Sequence, residues 1–574
     1  MTAASLERRR TFLDRAGLLA SLALCTVSVL DPDLPWHLSA ARRVLETGAL
    51  SRTDFLSWTM GGKPWIDFEL GSELIFYGLL RLGGTPALWL FRTAALFGLL
   101  LMFRELLRLW RIPKGWNGAA LPALAAALVP LFGLRPEIFS LCLFMLEFLL
   151  LERRRLGLPG PGDRLFVALH LAFYAVWANL HAGFPAGLLL CFCYGVGGLI
   201  ARREPAAAVP LAACAAGFLG AFANPYGAQL YAVLLDHWRR LDALHHLIEE
   251  WKPPSLLLNY LTGYWLLIVF SFAGLLAALR GGLDLPVEHV ALIVVFGLFG
   301  SRSIRTTKYA MLVIFPLGLS GWASLALSPR RLRALGLAAA AAVPFIAWRS
   351  LNWAGSVRVF GWPPPMEAHG PAHAVAFLRK EKAALVGLNL YNPYNWGGVL
   401  GYDLFPDYKV FIDGRYIFVD LLTEVNDAQG SPEAFRRFVD ERDVGLAIQE
   451  NDGLMLINPW DQVSTSGRPY VAYAWPRTTW ALVYWDAQAL VYVRRSVVSA
   501  RWLKKHEFRC VRPRDLRQLG YYVVAGLVPL AEAEAEIERY RREIGDPKEV
   551  AALTSWLGTF KAELAVPSAR AERR

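Results

Sequence analysis

From Arg15 to about Arg349 the chain is a succession of apolar runs joined by short polar connections. About eleven of them approach the ~20 residues a helix needs to cross a bilayer. Their cores lie at 16–30, 86–103, 117–134, 137–151, 165–181, 183–200, 206–223, 261–279, 286–300, 308–326 and 333–349. The longest connection, Asp31 to Thr85, has a different pattern. Leu34, Leu38, Ala41 and Leu45 recur at helical spacing, His37, Arg42, Arg43 and Glu46 fill the rest of the wheel, and Gly48 ends the run. Between Trp65 and Leu82, the residues Phe68, Gly71, Ile75, Leu79 and Leu82 form a second stripe, with Glu69 and Glu73 one turn apart beside it. Both stretches predict amphipathic helices lying on a membrane surface, joined by a turn at Gly61–Trp65.

Beyond Trp353 the period changes, and Trp362-Pro363-Pro364-Pro365 reads as a stiff linker. Helices are predicted at His373–Lys382 and Pro432–Glu441, and strands at Leu385–Tyr391, Lys409–Ile412 and Val444–Gln449. Trp480–Trp485 and Ala489–Val493 read as a hairpin, and Leu530–Lys561 as two helices broken at Gly545-Asp546-Pro547. The predicted architecture is a polytopic all-α membrane domain over 1–349, with the 31–85 outer loop and its interfacial helices inside it. A soluble α/β domain over 350–574 follows, ending in a helical hairpin.

Charge orients this plan. Arg8–Arg10, Arg104 to Lys114, Arg153–Arg155, Arg202 and Arg203, Arg280, and Arg330 to Arg333 fall on every second connection. By the positive-inside rule those connections are cytoplasmic, so the 31–85 loop and everything after Arg349 are extracytoplasmic. The N-terminus is then cytoplasmic, and the first run reads as an uncleaved anchor in a bacterial inner membrane. The 60 basic against 48 acidic residues, net +12, are topology signals rather than a nucleic-acid footprint. Five of the six cysteines fall in apolar runs and Cys510 stands alone after them, so no disulfide within the outer domain is expected.

Most acids, histidines and tryptophans near the runs fall on the outer connections, beginning with Asp31-Pro32-Asp33-Leu34-Pro35-Trp36-His37. A pair of acids at a membrane exit, followed by two interfacial helices, resembles the first outer loop of the GT-C superfamily of integral-membrane glycosyltransferases. Asp31–His37, Gly48, Asp54, Ser57, Gly62–Trp65 and Glu69 are similar to a bacterial branch of that superfamily. So are Arg135-Pro136-Glu137, Trp177 to Gly183, Asn224-Pro225-Tyr226-Gly227, Glu250-Trp251-Lys252-Pro253, Asn395–Gly398 and Phe411–Arg415. The resemblance implies transfer of a sugar from a polyprenyl-phosphate carrier to an extracytoplasmic glycan, lipid or protein. It also implies an inverting, general-base mechanism in which an acid at the end of the first span takes the acceptor proton.

Asp33 is the candidate base, with Asp31 the second choice; the competing reading has the Asp-Pro-Asp unit only ending one helix and capping the next. Arg302, Arg305 and Lys308 lie against the positive-inside trend and are candidate phosphate ligands, or else snorkel to lipid phosphates. Arg135 is a further candidate, or pairs with Glu137. His37, Lys63, Glu69, His181 and Glu250 complete the substrate-binding candidates, His181 having also the reading of a satisfied structural residue. His245-His246 with Glu249-Glu250 has i,i+4 spacing for a metal but no HExxH frame. Asp31, Asp33, Glu69 and Glu250 could form an oxygen site for Mg2+ or Mn2+. No nucleotide-binding motif occurs, so no nucleotide cofactor is expected. Asp413 and Arg415 read as a buried pair or an acceptor-docking turn. Two other classes compete with an enzyme: a transporter of envelope intermediates, which wants charges in mid-span, and a non-catalytic scaffold with an outer recognition domain.

Overall fold

The computed structural model describes residues 3–29, 31–201, 208–325, 327–351, 357–358, 370–452, 455–456 and 468–565. The expected linker at Trp362–Pro365 and the basic pair Arg202 and Arg203 lie outside them. The chain divides into two compact units, Met1–Thr53 with Pro64–Met366, and Asp54–Lys63 with Glu367–Arg574.

The first unit is helical. Its order is α1 (Ala3–Cys25), α2 (Leu34–Thr47), α3 (Leu70–Leu109), α4 (Asn117–Leu128), α5 (Glu137–Arg155), α6 (Asp163–Leu180) and α7 (Pro185–Ile200). It continues with α8 (Ala208–Gly220), α9 (Gln229–Arg239), α10 (Leu241–Leu247), α11 (Thr262–Arg280), α12 (Val287–Arg302), α13 (Thr307–Ser324) and α14 (Pro329–Leu351). A helix thus forms on each expected apolar run. Among the described residues only Leu70–Leu109 and Asn259–Arg280 are long and apolar enough to cross a membrane, while Pro185–Ile200, Val209–Gly220 and Ala334–Ser350 are apolar but shorter. The helix order follows the hydropathy pattern, whereas eleven crossings are more than these lengths establish.

The first loop folds as its periodicity predicts at one end and differently at the other. α2 starts after Asp33 and stops at Gly48, whose φ of +66° closes the helix and lets its N–H reach Val44 O at 2.8 Å. The second stripe starts later than expected, at Leu70, and runs on into the following apolar run. Gly83 and Gly84 break the helical dihedrals, with φ of +65° at Gly84, and Pro86 supplies no donor after them, so α3 is two helices meeting at a glycine joint.

Close approach holds the bundle together. α11 packs along α13, where a Cβ on Gly318 would lie 2.3 Å from Ser271 Cα. A second device is Arg92, which is 2 % exposed and sits inside an apolar stretch of α3. Its guanidinium donates to Cys25 O at 3.2 Å, Val27 O at 2.7 Å, Val129 O at 3.1 Å and Phe132 O at 2.6 Å. Carbonyls at a helix end have no intrahelical partner. Arg92 satisfies those after α1 and after α4 together, setting the Asp31 turn and the Arg135 turn side by side.

The second unit is built on a mixed sheet of β1 (Asn389–Tyr391), β2 (Val444–Glu450), β3 (Trp480–Trp485) and β4 (Ala489–Arg494), in the order β1-β2-β4-β3. β1 and β2 are parallel, and β4 pairs antiparallel with β2 and β3. All six β3 residues are buried, so the strand reads as a continuous apolar run. Two expected strands differ: Leu385–Tyr391 shortens to Asn389–Tyr391, because Lys382–Leu385 is a helical turn, and Lys409–Ile412 makes only an isolated parallel bridge, Val410 to Ser57. Helices Pro432–Glu441, Leu530–Glu543 and Pro547–Ala565 form as predicted, Ser431 Oγ capping the first by accepting from Ala434 N at 3.1 Å. Trp475, Trp480, Trp485, Tyr492 and Tyr540 fill the core.

Asp54–Lys63 belongs to this unit, a correction to the expectation that the whole 31–85 loop lies along a membrane. Val410 N donates to Leu56 O and Trp58 N to Val410 O, both at 3.1 Å. The cause is Asp54, which accepts from Leu56 N, Ser57 N and Ser57 Oγ and pairs with Arg415 Nη2 at 2.7 Å. Arg415 also grips Asp413 through Nε at 2.9 Å and Nη2 at 2.7 Å, which makes the expected Asp413–Arg415 pair a triad. All three are fully or almost fully buried. Removing the cation from two buried acids costs about 3–5 kcal/mol. Arg415→Met is therefore expected to lower the thermal midpoint of the detergent-solubilised protein, followed by tryptophan fluorescence, well beyond the effect of Asp54→Asn.

Candidate active site

Four connections of the first unit meet around one guanidinium. Arg135, in the turn between α4 and α5, approaches Asp31 Oδ2 through Nε at 2.5 Å, Asp33 Oδ2 through Nη2 at 3.1 Å and Glu250 Oε2 through Nη1 at 2.6 Å. Glu250 is shared with Arg305 Nη1 at 3.3 Å, and the Arg305 guanidinium lies 5.2 Å from the centre of the Trp251 ring. Gly133 makes room for this contact, because a Cβ there would stand 2.2 Å from Asp31 Oδ2. The expected Arg135–Glu137 pair does not form: Glu137 is instead the partner of Lys308 Nζ.

The two candidate acids have different surroundings. Asp31 is 3 % exposed, and its other oxygen accepts from Asp33 N at 3.0 Å. Asp33 stands at the N-cap position of α2 but makes no capping hydrogen bond; its carboxylate faces Arg135 and its side chain is 23 % exposed. The helix-capping alternative for Asp33 therefore fails on geometry. Side-chain exposures of 22 % for Arg135, 32 % for Glu250 and 28 % for Arg305 make these, with Asp33, the members of the cluster that a substrate can touch.

Behind them is a hydrogen-bonded wall. His37 is held by two acids: Nδ1–H donates to Glu73 Oε1 at 2.8 Å and lies 3.8 Å from Glu69 Oε2. His181 ends α6, with Nδ1 accepting from Gly183 N at 2.9 Å and from Ser140 Oγ at 2.7 Å. Trp177 Nε1 in turn donates to Ser140 Oγ at 2.7 Å. Because Nδ1 carries the lone pair, the ring proton sits on Nε2, 3.3 Å from Glu69 Oε1. Gly71 lets α3 approach α6 here, as a Cβ would lie 2.5 Å from Asn179 O.

Burial shifts the titration of these groups. It pushes Asp33 up to about 6 against the pull of Arg135, Asp31 and Glu250 adding to the rise. It likewise pushes Glu69 up to about 8, with Arg305 opposing and Asp67 and Asp33 adding. Desolvation also raises half-buried Glu250, but Arg135 and Arg305 hold it down to about 2. Burial, reinforced by Arg135, holds His37 well below the usual histidine range. At neutral pH the site therefore presents a neutral His37, a protonated Glu69 and an ionised Asp33.

The remaining candidates lie elsewhere or are already paired. Lys308 is 5 % exposed and bound to Glu137 and Leu131 O, which removes it as a free phosphate ligand. Arg302 is exposed at the end of α12, with no ion-pair partner among the described residues. Lys63 is exposed and belongs to the second unit. The expected oxygen site for Mg2+ or Mn2+ is not assembled, because Arg135 supplies the positive charge among Asp31, Asp33 and Glu250. Nor do His245 and His246 share a helix with the acids: α10 ends at Leu247, and Glu249 accepts from Tyr260 Oη at 2.7 Å. Arg92, Glu73 and Ser140 were not singled out from sequence, although Arg92 is a charge inside an apolar run and Glu73 stands one turn from Glu69.

No family model matches the sequence, and no curated protein does. Solved structures do. The Archaeoglobus fulgidus oligosaccharyltransferase, tethered to an acceptor peptide containing the NVT sequon, superposes with a TM-score of 0.50 at 12 % identity, over 77 % of this chain and 69 % of that one. The same archaeon's oligosaccharyltransferase AglB, in complex with an inhibitory peptide and a dolichol-phosphate, gives 0.49 at 12 % identity over the same shares. ArnT from Cupriavidus metallidurans bound to undecaprenyl phosphate gives 0.41 at 14 % identity, over 87 % of this chain and 100 % of that one. The chain shares the fold of the first of these.

Proposed function

We propose that this protein is a multi-pass membrane glycosyltransferase that moves a sugar from a polyprenyl-phosphate carrier to an extracytoplasmic acceptor by an inverting, general-base mechanism. The observation that carries the reading is the convergence of Asp33, Arg135, Glu250 and Arg305 as the reachable members of one cluster. In the same reading residues 1–349 form the membrane domain, 350–574 an extracytoplasmic domain, the N-terminus is cytoplasmic, and the membrane is a bacterial inner membrane.

The chemistry follows from what these groups can exchange. A donor phosphate offers oxygens that match the forks of Arg135 and Arg305 better than single carboxylate oxygens do. When Arg135 turns to the phosphate, Asp33 loses its counter-ion and becomes more basic. Asp33 then takes the acceptor proton as the acceptor atom attacks the anomeric carbon and the carbon–oxygen bond to phosphate breaks. The electron pair of that bond leaves on the phosphate, where both arginines stabilise it. Protonated Glu69, backed by His181 and His37, is a donor for a sugar hydroxyl.

Asp33→Asn is expected to lower transfer by about 10²–10⁴-fold while leaving the thermal midpoint unchanged. The measurement is polyprenyl phosphate released by reconstituted protein from a panel of polyprenyl-phosphate sugars, and full activity in this variant would remove Asp33 as the base. The pH profile should be a bell. Activity rises as Asp33 ionises through about 6 and falls as Glu69 loses its proton through about 8. Glu69→Gln, which keeps a donor without a titrating proton, should abolish the alkaline limb and keep the acid one. Arg305→Met should raise KM for the donor about 10- to 100-fold, the loss of one charged hydrogen bond, with Glu250 still paired to Arg135.

A further inference from the structure

Away from the site just described, a second polar cluster sits among apolar helices. Glu147 of α5, His170 of α6 and Cys191 of α7 are 0 %, 2 % and 0 % exposed. One ligand atom from each lies within 4.8 Å of the others. Ionisable groups inside an apolar bundle are costly and need a reason.

Hydrogen-bond polarity supplies one. His170 Nδ1 is 2.7 Å from Phe166 O, and a carbonyl only accepts, so the proton is on Nδ1. In a neutral ring Nε2 then presents a lone pair, and it faces the Glu147 carboxylate at 3.1 Å. Cys191 Sγ meets the same oxygen at 2.6 Å, while Glu147 Oε2 is buried with no hydrogen-bond partner. Two acceptors pointed at each other require a proton or a metal ion between them. A proton on His170 Nε2 or on the Glu147 carboxyl is one solution; a metal ion is the other. A ring N–H held by a backbone carbonyl is also how metal-ligating histidines are oriented.

We infer that Glu147, His170 and Cys191 form a binding site for a zinc-class divalent transition ion. Thiolate, imidazole and carboxylate are the donor set such ions take, and the ligand atoms around zinc are roughly 3–4 Å apart, within reach of small side-chain movements here. Charge balances in the apolar interior: the protonated trio of carboxylate, imidazolium and thiol is neutral, and so is M2+ with carboxylate, imidazole and thiolate. Binding therefore expels two protons, the one shared between His170 Nε2 and Glu147 and the one on Cys191 Sγ. The ion staples α5, α6 and α7. α5 carries Ser140, and α6 ends at His181, so the staple also fixes the pair that orients the His181 ring.

Full-length protein purified in detergent, stripped with chelator, loaded with Zn2+ and desalted is expected to hold about one ion per chain by elemental analysis. Its thermal midpoint should rise on loading. Co2+ loading should give a thiolate-to-metal charge-transfer absorption that disappears in Cys191→Ser and persists in Cys214→Ser. Should Cys191→Ser not fold, a variant retaining Cys191 as its single cysteine must show the same absorption. Failure of the wild type to retain either ion, or a charge-transfer band that survives Cys191→Ser or is missing from the single-cysteine variant, overturns the site and leaves a proton as the only cation there.

Discussion

One guanidinium shared by three carboxylates organises the helical unit. Arg135 is held by Asp31 and Asp33 from the connection after α1 and by Glu250 from the connection after α10. A buried charge is tolerated only when paired, and each pairing here joins connections that are distant in sequence. The ratio matters as much as the contact. Three acids on one arginine, with Arg305 shared by Glu250, leave the cluster one positive charge short of neutrality. The shortage falls on Asp33, the acid with the longest contact to Arg135 and the greater exposure of the Asp-Pro-Asp pair.

The polar groups of the unit divide by how completely they are satisfied. Arg92 donates four hydrogen bonds to carbonyls that no helix can use, and Lys308 is consumed by Glu137 and Leu131 O. Both are buried out of a substrate's reach. Asp33, Arg135, Glu250 and Arg305 hold one another in contacts that a phosphate can replace. His37 and His181 lie between the two classes: their protons are directed by Glu73, Ser140 and Gly183, which makes them orienting groups for Glu69.

Much of this was legible in the chain. The apolar runs marked the helices because burial of an apolar surface has a helical period, and Gly48 marked the end of α2 because a left-handed residue was needed there. Asp33, Glu69, Arg135, His181, Glu250 and Arg305 were identified as candidates from the resemblance to GT-C glycosyltransferases together with residue type and their shared side of the topology, and the fold brings them into neighbouring contacts. Lys308 was misjudged because a cation's value as a ligand depends on whether an acid already holds it, and Glu137 holds this one; Lys63 lies in the second unit. Residues 54–63 were misplaced because Asp54 meets Arg415 across 361 positions of sequence.

The sequence by itself therefore determined the helices, the composition of the polar connections and the residue types available for chemistry, since each depends on local periodicity or on charge counted along the chain. Tertiary structure alone decided the pairing: which of Asp31 and Asp33 is sequestered, that Arg135 stands among acids that could have held a metal, that Glu137 answers Lys308, and that Glu147, His170 and Cys191 converge. Ion pairing and desolvation act over a few ångströms, and those distances are set by helix packing rather than by order in the chain.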